Sequence, residues 1–91
     1  MHYLYILKSI PTKTLYIGRT DNIVRRIREH NAGTTFTTKK YLPWVLVYCE
    51  GYFSIEEAIK REQTLKQFGK VYSQLKRRIQ KSLRGAEKVR G

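Results

Sequence analysis

Leu15-Tyr16-Ile17-Gly18-Arg19-Thr20-Asp21-Asn22-Ile23-Val24-Arg25-Arg26-Ile27-Arg28-Glu29-His30 decides how the rest of the chain is read. It opens as a short strand and closes that strand on a glycine. Thr20, Asp21 and Asn22 bring side-chain oxygens suited to the orphan amides of a helix start, so the strand turns straight into a helix. Ile23 and Ile27 share one face of that helix. Arg26 and His30, also four apart, lie one above the other on a single face. A tyrosine, a glycine, an arginine and a histidine thus fall on one strand–turn–helix unit, a set suited to a polar site for an anion.

On the N-terminal side, His2 to Ser9 alternates loosely between apolar and aromatic residues and is a strand. Pro11-Thr12-Lys13 is a turn signal, and Thr14 to Arg19 is the second strand of an antiparallel hairpin. Tyr3, Tyr5 and Leu7 take one face, Leu4 and Ile6 the other; Tyr16 and Gly18 share a face opposite Leu15 and Ile17. A hairpin centred between Ile10 and Pro11 puts Tyr5 directly across from Tyr16. A one-residue slip would place the two rings on opposite faces.

On the C-terminal side, the first helix runs from about Asn22 to Asn31 and Gly33 ends it. Thr34 to Leu42 is polar, carries Lys39 and Lys40, and is expected to be an exposed loop, either touching phosphates or merely solvated. Trp44 to Phe53 is a third strand, apolar enough at Val45-Leu46-Val47 to be central or well covered. Cys49, the only cysteine, is expected as a small core residue; no internal disulfide is possible and no disulfide-linked partner is expected. Ser54-Ile55-Glu56-Glu57 has the pattern of a capping box, with Ser54 at the N-cap and Glu57 at N3. The second helix then reaches Phe68, with Gly69 as its stop. Its apolar stripe is Ile55, Ala58, Ile59, Leu65 and Phe68, and Glu62 lies inside it. An unpaired carboxylate there costs several kcal/mol, so it should be paired, metal-bound or at the mouth of a cleft. The sequence admits a metal ligand, an ion pair with Arg61 or Lys66, and a stripe edge that reaches water. A third helix covers Val71 to Leu83, and residues 84–91 form a basic, flexible tail after a single domain over 1–83.

Bulk properties bound the function. Ninety-one residues make one small domain with a modest core. No apolar run approaches the ~18–20 residues of a membrane span. The N-terminus lacks the basic start of a signal peptide, and a cytoplasmic location is expected. Nineteen Lys and Arg against seven acids give a net charge of +12, which points to a polyanionic partner, nucleic acid first. An anionic membrane is the weaker partner, because no basic amphipathic helix carries a large aromatic face. The oligomeric state is not written in the sequence.

Taken in order, these residues resemble the GIY-YIG nuclease family. Tyr3-Leu4-Tyr5, ten residues, then Tyr16-Ile17-Gly18 is similar to its two name-giving tripeptides, with Tyr3 where the first glycine stands. Arg26 and His30, in Gly-x-Thr-x-x-x-x-x-Arg-x-x-x-His, look like its second motif, and Arg61-Glu62 like its acidic motif. The Trp44–Tyr48 strand and the Arg61–Lys66 run are similar to the small standalone bacterial branch.

The resemblance implies an α+β fold, a three-stranded antiparallel sheet flanked by about three helices. It implies a metal-dependent endonuclease hydrolysing DNA phosphodiester bonds. Carried over, Glu62 would hold one Mg²⁺ or Mn²⁺. Tyr5 and Tyr16 would flank the attacking water, one of them as general base. Arg26 would bind the scissile phosphate, and His30 would orient or accept a proton. Gly18, Arg19, Thr20, Lys39 and Lys40 are the candidate substrate-binding residues. A free tyrosine is about one part in a thousand ionised at neutral pH, so a tyrosine base needs cations beside it, and His30 stays a rival for that role. One carboxylate suits Mg²⁺, which keeps several waters and takes further ligands from substrate phosphate. No separate DNA-reading domain is seen, so structure-selective or nonspecific cutting in repair or recombination is expected. The competing readings are a nucleic-acid-binding module that cuts poorly or only with a partner and, more weakly, RNA binding.

Overall fold

The computed structural model describes residues 1–88. The chain runs β1 (His2–Ser9), β2 (Leu15–Thr20), α1 (Ile23–Asn31), β3 (Trp44–Tyr52), α2 (Ile55–Gln67), α3 (Gly69–Arg78) and α4 (Gln80–Ala86), with a 3₁₀ turn at Lys39–Tyr41 before β3. The three strands form one antiparallel sheet in the order β2-β1-β3. It is the α+β architecture expected, with the third helix divided in two.

β1 is the central strand, buried continuously from Leu4 to Ser9. β3, expected to be central or well covered, is instead an edge. Its apolar run reflects an irregular pairing: Ile6 faces Tyr48 and Leu7 faces Leu46, so Val47 is an extra residue. Cys49, expected in the core, is exposed on this edge strand.

Alternation along β1 and β2 builds a different core on each face of the sheet. Leu4, Ile6 and Ile17 pack with Leu65 of α2 and Leu75 of α3, joined by Val71, Tyr72 and Ile79. Tyr5, Leu7 and Trp44 pack on the other face with Tyr16, with Ile23 and Ile27 of α1, and with Tyr41 and Leu42. Each fully buried Leu or Ile contributes about 1.5–3 kcal/mol relative to exposure. The aliphatic face is thus closed by α2 and α3, while the tyrosine face lies under α1.

The hairpin register differs from the expected one. Tyr5 stands opposite Gly18, and Tyr16 opposite Leu7. The turn closes later than Pro11 suggests: Ser9 N–H donates to Thr14 O at 2.8 Å, and Lys13 takes the left-handed region at φ 64°. Because the displacement is two residues, both tyrosines keep the face assigned to them.

Helix ends explain the remaining differences. At α1, Asn22 accepts from the Arg25 amide at 3.0 Å. At its other end Gly33 sits at φ 75°, its N–H donates to His30 O, and Thr34 N–H donates to Glu29 O, a Schellman close. The capping box at α2 does not form: Ser54 holds the N-cap position, but its hydroxyl donates to Glu56 at 2.7 Å rather than serving the backbone. Gly69 does not stop a helix; it opens α3, and the joint is Phe68 in an extended conformation, more than half exposed. A second joint at Ile79 separates α3 from α4.

α4 passes Leu83 and reaches Ala86, which is buried, so residues 84–86 are helix rather than free tail. Buried Lys8 pins this end by donating to Leu83 O at 3.1 Å and to Glu87 Oε1 at 2.8 Å. Residues 89–91 of the expected tail lie outside the described residues. Among the described residues, no helix is long and apolar enough to cross a membrane.

Candidate active site

The site is built where β1, β2 and α1 meet. Tyr5 lies on the sheet face toward α1 and is almost wholly covered. Directly across the hairpin, Gly18 leaves room for it: a Cβ there would overlap the Tyr5 hydroxyl, sit 2.5 Å from its Cζ and lie 2.9 Å from Tyr16 Cε1. Only glycine fits beneath the phenol, and that is the physical meaning of the glycine closing β2.

α1 delivers His30 above the same spot. Its Nε2 is 2.9 Å from the Tyr5 hydroxyl and its Nδ1 is 2.8 Å from Thr38 Oγ1. Tyr16 completes the cluster, its ring centroid 5.0 Å from His30 and 6.2 Å from Tyr5. Trp44 lies beyond it, 6.2 Å from Tyr16. Four expected site residues, Tyr5, Tyr16, Gly18 and His30, are therefore gathered in one cluster.

Electrostatics sharpen the picture. Burial pushes the Tyr5 phenol up to about 12, with Arg26 working against the rise and Tyr16 and Glu62 adding to it. Burial also pulls His30 below its ordinary 6.5, and the Arg26 charge pulls the same way, with Glu29 opposing. At neutral pH the site thus holds a neutral phenol beside a neutral imidazole.

Arg26 links this cluster to solvent. It lines an open groove of about 370 Å³ together with Arg19, Thr20, Arg25 and Glu29. Its guanidinium pairs with Glu29 at 3.0 Å, a half-exposed contact of modest strength. Arg19 and Thr20 are thus at the groove, as expected. Thr20 is partly occupied with the backbone of the turn into α1, accepting from Asn22 N–H at 3.1 Å. Lys39 and Lys40 are exposed on the 3₁₀ turn but are not part of this lining, and the Lys39 ammonium lies 4.9 Å from the Phe36 ring.

Glu62 is not in the tyrosine cluster. α2 covers the opposite face of the sheet, and Glu62 reaches toward the groove through Arg19, whose Nε lies 3.5 Å from Glu62 Oε1, close enough for its charge to act on Tyr5. Lys66 takes its other oxygen at 3.1 Å. Arg61, considered as its partner from sequence, turns instead to Glu50. Among the described residues, no group of three or more His, Cys, Asp and Glu is gathered for a metal. The donor set is one partly exposed carboxylate with a loosely held Oε1, which fits Mg²⁺ with its waters and substrate phosphate completing the shell.

Sequence reasoning missed three supporting residues. Thr38 is buried in a segment whose composition indicates an exposed loop. Asn31 accepts from Trp44 N–H at 2.7 Å and donates to Trp44 O at 3.0 Å, tying α1 to the start of β3. Trp44 in turn donates its indole N–H to Thr38 O at 2.9 Å. One of four threonines over residues 34–38 points inward, and nothing in their order says which.

A tyrosine pair on a small antiparallel sheet, under a helix bearing an arginine and a histidine, is the arrangement that the resemblance to the GIY-YIG family implies. The model of the GIY-YIG catalytic domain matches residues 1–71, and the chain belongs to the GIY-YIG family. It is 44% identical over 70 residues to a UPF0213 protein of Staphylococcus haemolyticus, covering 76% of this chain and 84% of that one. It is 41% identical over 66 residues to a UPF0213 protein of Natronomonas pharaonis, covering 71% and 76%. The solution NMR structure of a UPF0213 protein from Bacillus halodurans superposes with a TM-score of 0.53 at 33% identity, covering 81% of this chain and 80% of that one. Every candidate site residue falls within the matched 1–71.

Proposed function

We propose that this protein is a metal-dependent endonuclease that hydrolyses DNA phosphodiester bonds, structure-selectively or without sequence preference, in repair or recombination. The observation that carries this is the Tyr5–His30 hydrogen bond beside Arg26, at the edge of a groove lined by further arginines. A phosphodiester needs an acceptor for the proton of water and cations for the charge that grows on phosphorus.

A phenol at about 12 is a poor base by itself. The pair solves this. As water's proton moves to the Tyr5 oxygen, the Tyr5 proton moves to His30 Nε2, so the phenol never carries full charge. The water oxygen bonds to phosphorus, one P–O bond breaks, and the departing oxygen takes a proton from solvent. Arg26 holds the phosphate. Tyr16 packs against the His30 ring beside the attacking water. Glu62 would hold Mg²⁺ or Mn²⁺, which supplies positive charge to the phosphate when bound. Cleavage then rises as His30 loses its proton, with a midpoint below 6.5, and levels off above it. A rate still climbing toward the tyrosine range would assign the base role to a phenolate.

One observation favours a second reading, a binding module that needs a partner to cut. Arg26 is engaged by Glu29, and Glu62 by Arg19 and Lys66. The test is cleavage of supercoiled plasmid and branched DNA with Mg²⁺ or Mn²⁺, wild type beside Glu62→Ala. Metal-dependent cutting by wild type alone supports the enzyme. DNA binding without cutting on either substrate supports the module. DNA affinity should fall with salt by a log–log slope of ~0.9 per phosphate contacted on duplex, and a flat response would remove DNA as the partner.

A further inference from the structure

The segment joining α1 to β3 has the composition of an exposed phosphate-contacting loop, yet it sends one hydroxyl inward. Thr38 is 1% exposed, and its Oγ1 lies 2.8 Å from His30 Nδ1. Its carbonyl receives the Trp44 indole, and Trp44 is gripped at both backbone groups by Asn31 of α1. Thr38 is therefore fastened to the same helix that carries His30, and its hydroxyl cannot drift from the imidazole.

We propose that Thr38 is a positioning residue that holds His30 as the Nδ1–H tautomer, so that the Nε2 lone pair faces the Tyr5 hydroxyl. The effect on catalysis rests on the nuclease reading above; the tautomer itself does not. Proton bookkeeping carries the assignment. The Tyr5 phenol is almost wholly buried and carries one proton. That proton needs an acceptor, and the neighbour in reach is His30 Nε2 at 2.9 Å. An accepting Nε2 in a neutral imidazole requires a protonated Nδ1, which donates to Thr38 Oγ1. The Thr38 proton turns toward Thr35 O, 3.5 Å away. The reverse arrangement, with Thr38 donating to Nδ1 and Nε2–H pointing at Tyr5, takes the Thr38 proton away from Thr35 O and leaves the buried Tyr5 proton with no acceptor among these neighbours, which folded proteins avoid.

The chemical consequence is direction. With Nε2 free, the proton passes from Tyr5 to His30 and leaves an imidazolium whose Nδ1–H stays bonded to Thr38. With Nε2–H, the imidazole can only donate to Tyr5 and the relay is blocked. A histidine locked in the wrong tautomer is a severe catalytic defect where this has been measured in other enzymes. The charged and titratable groups around His30 are Arg26 and Glu29 on α1, Tyr5 on β1 and Tyr16 on β2.

The test is ¹⁵N NMR of the assigned His30 imidazole in the full chain at neutral pH, joined to plasmid cleavage. Wild type and Thr38→Ser should show a protonated Nδ1 and a bare Nε2. Thr38→Val, close in shape but without the hydroxyl, should move the proton to Nε2 or mix the tautomers. Its cleavage should fall by about 10²- to 10⁴-fold with DNA affinity kept, and Thr38→Ser should recover most of the rate. Nε2–H in the wild type overturns the proposal, whatever the variants do. An unchanged tautomer and rate in Thr38→Val overturns it as well. Should wild type cut no DNA, the NMR result still decides the role of Thr38, and the nuclease reading is what fails.

Discussion

The molecule holds two clusters of tyrosine, arginine and a titratable partner, and they behave differently. In the first, Tyr5 meets His30 beside Arg26. In the second, on the β3 side, Glu50 accepts from Tyr48 at 2.6 Å, from Tyr52 and from Arg61, whose Nε and Nη2 approach at 3.0 and 3.1 Å. Burial pushes both Tyr5 and Tyr52 up to about 12. A displaced phenol thus marks both clusters and distinguishes neither. What differs is the acceptor. Burial alone would raise Glu50, but Arg61 and the two phenols hold it below the usual carboxylate range, so it refuses a proton. His30 is neutral and has a lone pair to offer. On the reading proposed above, the first cluster moves a proton, while the second keeps Glu50 a carboxylate bound to Arg61.

The sharpest way to break this contrast is to delete one hydroxyl from each. Tyr5→Phe should reduce plasmid cleavage by about 10²- to 10⁴-fold, while Tyr52→Phe should leave the rate per folded molecule within a few fold. Each should cost about 1 kcal/mol of stability for one hydrogen bond, read by urea denaturation. Equal losses of activity would show that both clusters serve the chemistry.

Next in size is Glu50→Gln. It strips Arg61 of its carboxylate while that guanidinium stays three-quarters covered. Removing one member of a buried pair costs roughly 3 kcal/mol, somewhat less here because both groups reach water. Stability should fall by that order, and cleavage by the remaining folded protein should not.

Acid titration separates the two clusters by pH. His30 sits below 6.5 when folded, so the unfolded chain binds a proton that the folded chain refuses. Stability from this source is full above 6.5 and is lost as pH falls toward the folded value, with a slope of at most ~1.4 kcal/mol per unit. Glu50 sits below 4.5, so its share is full above 4.5 and is lost only as pH falls through its lower folded value. Glu56 and Glu87 are also lowered and act in that second window, but both are solvent-exposed and weak. His30→Gln should flatten the first window and Glu50→Gln the second. A wild-type curve with no slope between 6.5 and 4.5 would remove the neutral buried imidazole.

The first cluster was largely legible in the sequence, and the second was not. Tyr5, Tyr16, Gly18, Arg26 and His30 lie on adjacent elements joined by a short turn, so period-two and period-four spacing brings them together before any tertiary contact is known. Even the two-residue error in register left the faces right. Glu50 and Arg61 come from different elements, and only the packing of α2 on the sheet makes them partners. The same limit hid Thr38, whose inward turn depends on Trp44 and Asn31, and mis-set Cys49, whose exposure depends on β3 being an edge. The break between α2 and α3 falls at Phe68, where Gly69 marks it, whereas the joint at Ile79 was missed because no glycine or proline stands there.

The smallest effect concerns the two arginines. Arg61 is fixed by two nitrogens on one carboxylate, whereas Arg26 is held by Glu29, whose side chain is 41% exposed. An exposed pair of this kind is worth under ~1 kcal/mol, so Glu29→Gln should change stability by less than about 0.5 kcal/mol. It also takes a negative charge out of the groove and frees the guanidinium. DNA affinity should therefore rise at low salt, with a steeper salt dependence by one phosphate contact or less. The same substitution removes the one charge that opposes the lowering of His30, so the midpoint of the cleavage pH profile should move to lower pH. Affinity that stays flat in Glu29→Gln would mean that Arg26 serves the fold just as Arg61 does, and the distinction between a poised cluster and a holding one would then rest on His30 alone.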